Sequence, residues 1–259
     1  MKHSSPASSS QSSDDSMEPI AGKRILISGG TTGIGRATAV LLASQGAQVV
    51  IFGRDEQHMN DAVADVEEAG GQAFAVVADQ AKAEDIERVF NEVDRQLGGL
   101  DVLINNAAIG SDGFVEEGDY ESWKYVVEDN LLGYIGCARQ AIDRMRQNGG
   151  GHIVNIGSVN ADIRQPDSPV YNATKAAIQA FSESLRKAVR DHDIRVSLIE
   201  PGTVGTDMSE QSADEQPAEQ AELKMLKAED IAACVHYCLV QPRRSVVASV
   251  RIQPHRQKE

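Results

Sequence analysis

The stretch R-I-L-I-S-G-G-T-T-G-I-G-R-A at residues 24–37 decides the fold. An apolar, β-branched run ends at a serine, and a glycine-rich turn then leads directly into a segment with apolar residues at helical spacing. Glycine permits such a tight turn and lets backbone N–H groups at a helix N-terminus approach a pyrophosphate. The spacing of Gly29, Gly33 and Gly35 differs from the G-x-G-x-x-G fingerprint. The indication of a dinucleotide site therefore rests on the position of the turn between a strand and a helix.

The same alternation continues along the chain and predicts a parallel sheet with covering helices. Strands are expected at 24–28, 48–52, 73–78, 102–105, 152–156, 195–199 and 246–252, and helices near 34–45, 55–69, 83–97, 120–147, 170–190 and 228–240. Right-handed crossovers then give a doubly wound (Rossmann) α/β fold of about seven strands with helices on both faces. We expect a single domain over residues 21–259, preceded by a disordered Ser-rich tail over residues 1–20.

The amino-acid composition limits the binding partners that are expected and indicates the cellular compartment. The chain has 39 acidic and 25 basic side chains, a net charge of −14, which disfavours nucleic acid or an anionic membrane as a partner. No stretch approaches the ~18 apolar residues that a membrane span needs. Three cysteines, Cys137, Cys234 and Cys238, are too few for a disulfide scaffold, so a reducing, cytoplasmic compartment is expected. His236 faces another side of its helix from Cys234 and Cys238, so we expect packed thiols and no metal site.

A serine, a tyrosine and a lysine form a candidate proton-transfer group. Tyr171 opens the run Y-N-A-T-K, so Tyr171 and Lys175 share one helix face. A neighbouring ammonium is expected to lower the phenol pKa from its usual ~10. Ser158 ends the apolar run H-I-V-N-I-G-S and can donate a hydrogen bond to a substrate oxygen. Y-x-x-x-K alone is common on helix surfaces, but with Ser158 and the glycine turn it indicates carbonyl–alcohol chemistry.

The corner after the second strand bears on cofactor choice. It reads I-F-G-R-D at residues 51–55, with Gly53 and Arg54 where folds that bind NAD place an acid for the ribose hydroxyls. An arginine pairs with a 2′-phosphate that a carboxylate would repel, which favours NADP(H) over NAD(H). Asp55 keeps NAD(H) open as the alternative, and an exposed arginine at a helix start is the simpler interpretation of Arg54.

Taken together, these motifs resemble the short-chain dehydrogenase/reductase superfamily in its single-domain form. The resemblance covers nearly all of residues 21–254, and the thirteen-residue gap from Ser158 to Tyr171 is also typical of that family. Further motifs support the resemblance: S-G-G-T-T-G-I-G, Asp79 after the third strand, N-N-A-A at 105–108, Asn130 and P-G-T-V-G-T at 201–206. Ala108, where the family usually has glycine, is the main departure.

The resemblance implies an NADP(H)-dependent oxidoreductase that moves hydride between nicotinamide and a carbonyl or secondary alcohol of a small substrate. It makes Tyr171 the general acid/base, has Ser158 polarise the substrate oxygen, and has Lys175 tune Tyr171 and bind the nicotinamide ribose. Asn130 would hold a water linking Lys175 to solvent. Cofactor contacts are expected from Ser28, Gly29, Thr31, Thr32, Gly33, Ile34, Gly35, Arg54, Asp79, Gln80, Asn106, Ala107, Tyr171, Lys175, Pro201, Gly202, Val204 and Thr206.

Several alternatives remain open at this stage. A cofactor-binding regulatory or scaffold protein without turnover has the same fold, and so does a lyase or epimerase that uses the tyrosine without net cofactor turnover. Arg164, a lone cation before Tyr171, is expected to be solvent-exposed; recognition of an anionic substrate group is the weaker hypothesis. The acidic segment 207–222 is either a lid or a solvated loop. The helices near 120–147 and 170–190 suggest a homo-oligomer, a tetramer or a dimer, by the same resemblance.

Overall fold

Seven strands form one fully parallel sheet in the order β3-β2-β1-β4-β5-β6-β7 in the computed structural model. The structure describes residues 16–110, 113–209 and 211–257, so residues 1–15 of the expected tail lie outside the described residues. The strands are β1 Arg24–Ser28, β2 Gln48–Gly53, β3 Gln72–Val77, β4 Val102–Asn105, β5 Gly151–Ile156, β6 Ile194–Pro201 and β7 Ser249–Ile252.

Helices cover both faces of the sheet. They are α1 Gly33–Ser44, α2 Glu56–Glu68, α3 Ala83–Leu97, α4 Tyr120–Val127, α5 Gly133–Gln147, α6 Asn160–Ile163, α7 Pro169–Val189, α8 Gln216–Ala221 and α9 Ala228–Leu239. Short 3₁₀ turns occupy Val115–Glu117 and Arg190–His192. The predicted doubly wound α/β fold is confirmed.

Successive side chains of each strand point to opposite faces of the sheet and so divide the core into two layers. Ile25 and Ile27 of β1 pack against α1, α2 and α9, whereas Leu26 between them packs on the other face against α3 and α5. Both faces are therefore buried, which explains the unbroken apolar runs in the central strands, at 25–27 of β1 and 102–104 of β4. Because the strand order reverses between β1 and β4, the loops after these two strands diverge and open a crevice at the carboxyl edge of the sheet.

Two elements differ from the sequence prediction. The expected helix at 120–147 is interrupted by a π-helical segment, Glu128–Leu132, between α4 and α5. A π turn accommodates one extra residue, so helical periodicity does not show which side chains it directs inward; Asp129 and Asn130 are both buried there. The last strand is shorter than expected because pairing with β6 starts only at Ser249.

Candidate active site

A cavity of about 520 Å³ lies at the carboxyl edge of the sheet. It brings together most of the residues that the sequence indicated: Gly29, Thr31, Thr32, Gly33, Ile34, Arg54, Gln80, Asn106, Ala107, Ser158, Tyr171, Lys175, Pro201, Gly202, Val204 and Thr206. Four others, Ser28, Gly35, Asp79 and Asn130, do not line it but support residues that do, as the contacts below show.

The glycine turn presents the start of α1 to the cavity. Gly33 has a φ of +50°, and a Cβ on Gly35 would lie 2.0 Å from the Gly29 carbonyl oxygen, so neither position accepts a side chain without strain. The Thr32 side chain makes no capping hydrogen bond, and the first turn of α1 contains no acid. Uncapped N–H groups and the positive end of the helix dipole therefore face the cavity, an arrangement that fits a pyrophosphate.

The loop after β4 is fastened to this turn by side chains. Ser28 Oγ accepts hydrogen bonds from the backbone N–H groups of Asn106 at 2.9 Å and Ala107 at 3.0 Å. In return, Asn106 Nδ2 donates to the carbonyl oxygen of Gly29 at 3.0 Å. These contacts set the width of the crevice between β1 and β4, which is the role that the structure gives to Ser28.

Arg54 stands on the cavity wall after β2 and belongs to a three-residue chain of contacts. Its Nη1 donates to Tyr125 Oη at 2.7 Å, and Tyr125 Oη donates to Asp79 Oδ2 at 3.0 Å. The guanidinium carbon also lies 5.8 Å from the centroid of the Tyr125 ring. Tyr125, on α4, was not foreseen from the sequence, because nothing in the neighbouring sequence indicates a contact with the residue after β2.

Ser158, Tyr171 and Lys175 line the same cavity. Lys175 is 2% exposed; its Nζ donates to the carbonyl oxygen of Ile156 at 3.2 Å and lies 5.6 Å from the Tyr171 ring centroid. Burial lowers the pKa of Lys175 to about 8, and the charge of Asp129 acts in the opposite direction. Burial raises the pKa of Tyr171, while a hydrogen bond with Ser158 lowers it. The expected lowering of the phenol pKa is thus not seen in the free protein, because desolvation of the phenolate dominates.

Asn130 lies behind the lining and holds two segments together. Its Oδ1 accepts from the N–H of Ile109 at 2.8 Å, and its Nδ2 donates to the Ile109 carbonyl oxygen at 2.9 Å. Nδ2 also lies 3.3 Å from Thr174 Oγ1. The side chain is therefore committed to contacts within the protein, and the water expected beside Asn130 stays a prediction.

Asp129 is a cavity residue that the sequence analysis missed. It is 3% exposed, and its Oδ2 lies 3.4 Å from Gln80 Nε2, a long hydrogen bond for a buried carboxylate. Burial raises its pKa to about 6, although the charges of Arg54 and Lys175 act in the opposite direction. The available sequence signal for Asp129 was its position directly before Asn130. Because the π segment interrupts the helical repeat, periodicity does not predict that the Asp129 side chain points inward.

Replacing Asp129 with asparagine is expected to stabilise the protein at pH 8. The folded-state pKa near 6 lies above the unfolded value, so the folded state binds the proton more tightly and loses stability as pH rises from about 4 to 6. A shift of about two units corresponds to roughly 3 kcal/mol in the free energy of unfolding above pH 6. Urea unfolding at pH 4, 6 and 8 should show a gain that grows with pH. Asp207→Asn, at an exposed cavity residue, is the matched control; a pH-independent gain for Asp129→Asn would contradict the assignment.

Arg164 lies outside the cavity, contrary to the idea that it binds an anionic substrate. It is exposed, and its Nε donates to the carbonyl oxygen of Ala161 at 3.0 Å. Its φ of +58° ends α6 and accounts for this orientation, since a left-handed residue redirects the chain after a helical turn.

The segment after β6 and the C-terminal segment together form one wall. Asp207, Met208, Ser209 and Gln211 line the cavity, whereas Glu210 of the predicted lid lies outside the described residues. Gln257 also lines it, and its Oε1 accepts from the N–H of Thr203 at 3.1 Å. The N–H of Arg256 donates to the Leu223 carbonyl oxygen at 2.9 Å. The residues before the C-terminus thus hold both ends of this segment, a contact that the sequence did not indicate.

The described residues lack metal-binding clusters and membrane-spanning helices. They contain no group of three or more histidine, cysteine, aspartate or glutamate side chains placed to hold a metal ion. No helix among them has the length and apolar character to cross a membrane. Cys234 and Cys238 contact each other on α9, as expected for packed thiols, and hydrogen bonding to Cys234 together with burial raises the pKa of Cys238.

A doubly wound parallel sheet with a pyrophosphate-type turn and a Ser–Tyr–Lys group in one cavity defines a class of Rossmann-fold oxidoreductases. The family model described as short chain dehydrogenase matches residues 23–217, and the chain belongs to this family. An uncharacterised oxidoreductase of Staphylococcus epidermidis is 31% identical over 238 residues, which are 92% of this chain and all of the relative.

Solved structures agree with this assignment. A short-chain dehydrogenase from Burkholderia cenocepacia in complex with NADP is 29% identical, with a TM-score of 0.81 over 92% of this chain and 98% of the other. L-sorbose reductase from Gluconobacter frateurii, complexed with NADPH and L-sorbose, is 26% identical, with a TM-score of 0.82 over the same shares.

Proposed function

We propose that this protein is an NADP(H)-dependent oxidoreductase that transfers hydride between the nicotinamide and a carbonyl or secondary alcohol of a small molecule. The observation that carries the proposal is that Ser158, Tyr171 and Lys175 line the same cavity as the glycine turn at the start of α1. A protein that only bound the cofactor would not need an acid/base tyrosine beside a buried lysine, so turnover is favoured over a silent scaffold.

The residues divide the chemistry between them. When bound, NADP(H) supplies or accepts the hydride. Tyr171 delivers the proton to the substrate oxygen in reduction and removes it in oxidation, while Ser158 donates a hydrogen bond to the same oxygen. Lys175 keeps a buried positive charge near the phenol and favours the phenolate whenever Lys175 is protonated. Asn130 contributes by fixing Ile109 against the π segment. Because the protein holds these groups before the substrate arrives, little reorganisation accompanies the reaction.

Arg54 supports NADP(H) as the cofactor. It is an exposed cation on the cavity wall, and Gly53 beside it offers no carboxylate to a ribose. Asp79 is already engaged through Tyr125, so it does not neutralise the guanidinium by direct contact. The NADP and NADPH complexes among the related structures support the same choice.

An assembly of identical subunits in the cytoplasm is also proposed. Three apolar side chains of the segment 120–147 are exposed: Val127 by 36%, Leu132 by 53% and Ile135 by 38%. They form an apolar surface where the family resemblance expects a subunit interface. Tyr237 on α9 is 54% exposed and offers a second surface. The acidic net charge supports a small molecule, rather than nucleic acid, as the substrate.

The direct test is loss of NADPH absorbance with a panel of carbonyl compounds that includes a reactive diketone, 2,3-butanedione. We expect turnover of at least one compound with NADPH. A lyase or epimerase would convert its substrate with no net change in NADPH, and a scaffold protein would bind NADPH without turnover. Binding of NADPH with no reduction of any panel member would contradict the proposal.

A further inference from the structure

Two uncharged polar side chains flank the proposed reacting groups and have no role in holding the fold. Asn160 follows Ser158 by two residues, and its N–H donates to Ser158 Oγ at 3.1 Å. Ser168 caps α7 three residues before Tyr171, but its hydroxyl makes no capping hydrogen bond. Both side chains line the cavity and are partly exposed. Within the described part of the chain, neither the Asn160 amide nor the Ser168 hydroxyl has a hydrogen-bond partner.

The charges of the cavity lie elsewhere. Arg54 stands after β2, on the cofactor side, and Lys175 is buried and bonded to the Ile156 carbonyl oxygen. Asp129 is buried at the π segment, and Asp207 is exposed on the loop after β6. Among the described lining residues there is thus no cation near Asn160 and Ser168 to pair with a substrate carboxylate. An anionic substrate would be desolvated here without a counter-charge, which is unfavourable.

The unpaired Asn160 amide and Ser168 hydroxyl are suited to bind a hydroxyl group of the substrate. An amide and a serine hydroxyl can each donate and accept a hydrogen bond, and a substrate hydroxyl can do both in return. Ser158 and Tyr171 hold the carbonyl oxygen in the proposed function, and Asn160 and Ser168 lie two and three residues from them and line the same cavity. The two side chains are therefore placed to contact a group attached to the neighbouring carbon. A substrate without a polar group there would cover Asn160 and Ser168 and leave them unpaired, which is expected to lower kcat/KM by about tenfold or more.

We infer that the substrate is an uncharged carbonyl compound with a hydroxyl on the carbon next to the carbonyl, or the corresponding vicinal diol in the oxidative direction. This inference rests on the proposed function. Asn160 and Ser168 are its specificity residues, whereas the acid/base work stays with Tyr171.

Three probes of similar size test the inference with NADPH at saturation. They are 3-hydroxy-2-butanone, 3-methyl-2-butanone, in which a methyl replaces the hydroxyl, and the anion 2-oxobutanoate. We expect kcat/KM for the hydroxyketone to exceed that for the other two by about tenfold or more, as one hydrogen-bonded group allows. Asn160→Ala and Ser168→Ala should each lower kcat/KM for the hydroxyketone at least severalfold and raise kcat/KM for the methyl ketone, because the variant no longer buries an unpaired polar group against it. Arg164→Ala, at a polar residue outside the cavity, is the matched control and should change none of the three.

The outcomes separate this inference from the proposed function. Equal rates with the hydroxyketone and the methyl ketone, or preference for 2-oxobutanoate, would overturn the substrate class while the enzyme remained a reductase. Reduction of 2,3-butanedione without reduction of the hydroxyketone would overturn it as well. If Asn160→Ala and Ser168→Ala lowered the rates with all three probes by the same factor, the two side chains would be structural and the inference would fail.

Discussion

Tyr171→Phe is expected to lower the rate of carbonyl reduction by about 10²–10⁴, the range typical of losing a general acid/base. The substitution removes the phenolic proton but keeps the ring that packs 5.6 Å from the Lys175 ammonium. The affinity for NADPH should therefore change little. Steady-state turnover with NADPH, together with NADPH binding by fluorescence, separates the two effects.

Tyr134→Phe provides the matched control. The Tyr134 ring lies at the same 5.6 Å from Lys175, but its hydroxyl is buried and donates to the Ile156 carbonyl oxygen at 3.1 Å. Its loss should cost only about 0.5–1.5 kcal/mol of stability, because the Ile156 carbonyl oxygen keeps its bond to Lys175. Turnover should stay within about tenfold of wild type, since no proton-transfer group is removed. Turnover of Tyr171→Phe comparable to wild type would refute the assignment of Tyr171.

The preference for NADPH over NADH should be about ten- to a hundredfold and should depend on Arg54. A charge-assisted contact between an arginine and a phosphate is worth roughly 1.5–3 kcal/mol, which corresponds to that ratio. Arg54→Ile should abolish the preference, and Gly53→Asp combined with Arg54→Ile should reverse it, since the new carboxylate repels phosphate and accepts ribose hydroxyls. The dissociation constants of both cofactors are the measurement, at fixed ionic strength because salt screens an exposed arginine.

The structure refines the design of that double variant. A Cβ on Gly53 would lie 2.9 Å from Thr31 Cγ2, so the Thr31 side chain has to rotate to admit the new carboxylate. Arg54→Ile alone is therefore the cleaner measurement of the cation. Arg36→Ile is its control, because Arg36 pairs with Asp65 at 2.6 Å and does not line the cavity. Equal wild-type affinities for NADH and NADPH would refute the cofactor assignment and leave the reductase proposal standing.

Local sequence patterns were sufficient to predict the fold and those site residues that lie together on one turn or one helix. The glycine turn could be predicted because strand, turn and helix are contiguous at residues 24–37, and the pairing of Tyr171 with Lys175 because both lie on one helix. Contacts between segments far apart in the chain could not be predicted in this way. Tyr125 of α4 contacts Arg54, which follows β2, and Gln257 contacts Thr203 from the far end of the chain.

Electrostatic effects of burial were equally hidden from the sequence. The sequence shows that Lys175 lies beside Tyr171, but not that both are desolvated, so it predicted a lowered phenol pKa where burial raises it. Asp129 was missed for a related reason, since the π segment that directs it inward leaves no periodic trace. Arg164 is exposed and outside the cavity, in agreement with the favoured interpretation, so a cation near Tyr171 in sequence need not face the site.

The contacts of Arg256 and Gln257 bear on how the protein is handled in the laboratory. Because Arg256 bonds to Leu223 and Gln257 bonds to Thr203, deleting Arg256 and Gln257 would remove both attachments of the segment that forms one cavity wall. At the other end, the N–H of Glu18 donates to Val240 behind α9, among residues that do not line the cavity. Changes made near Glu18 should therefore disturb the cavity less than changes at Arg256 or Gln257.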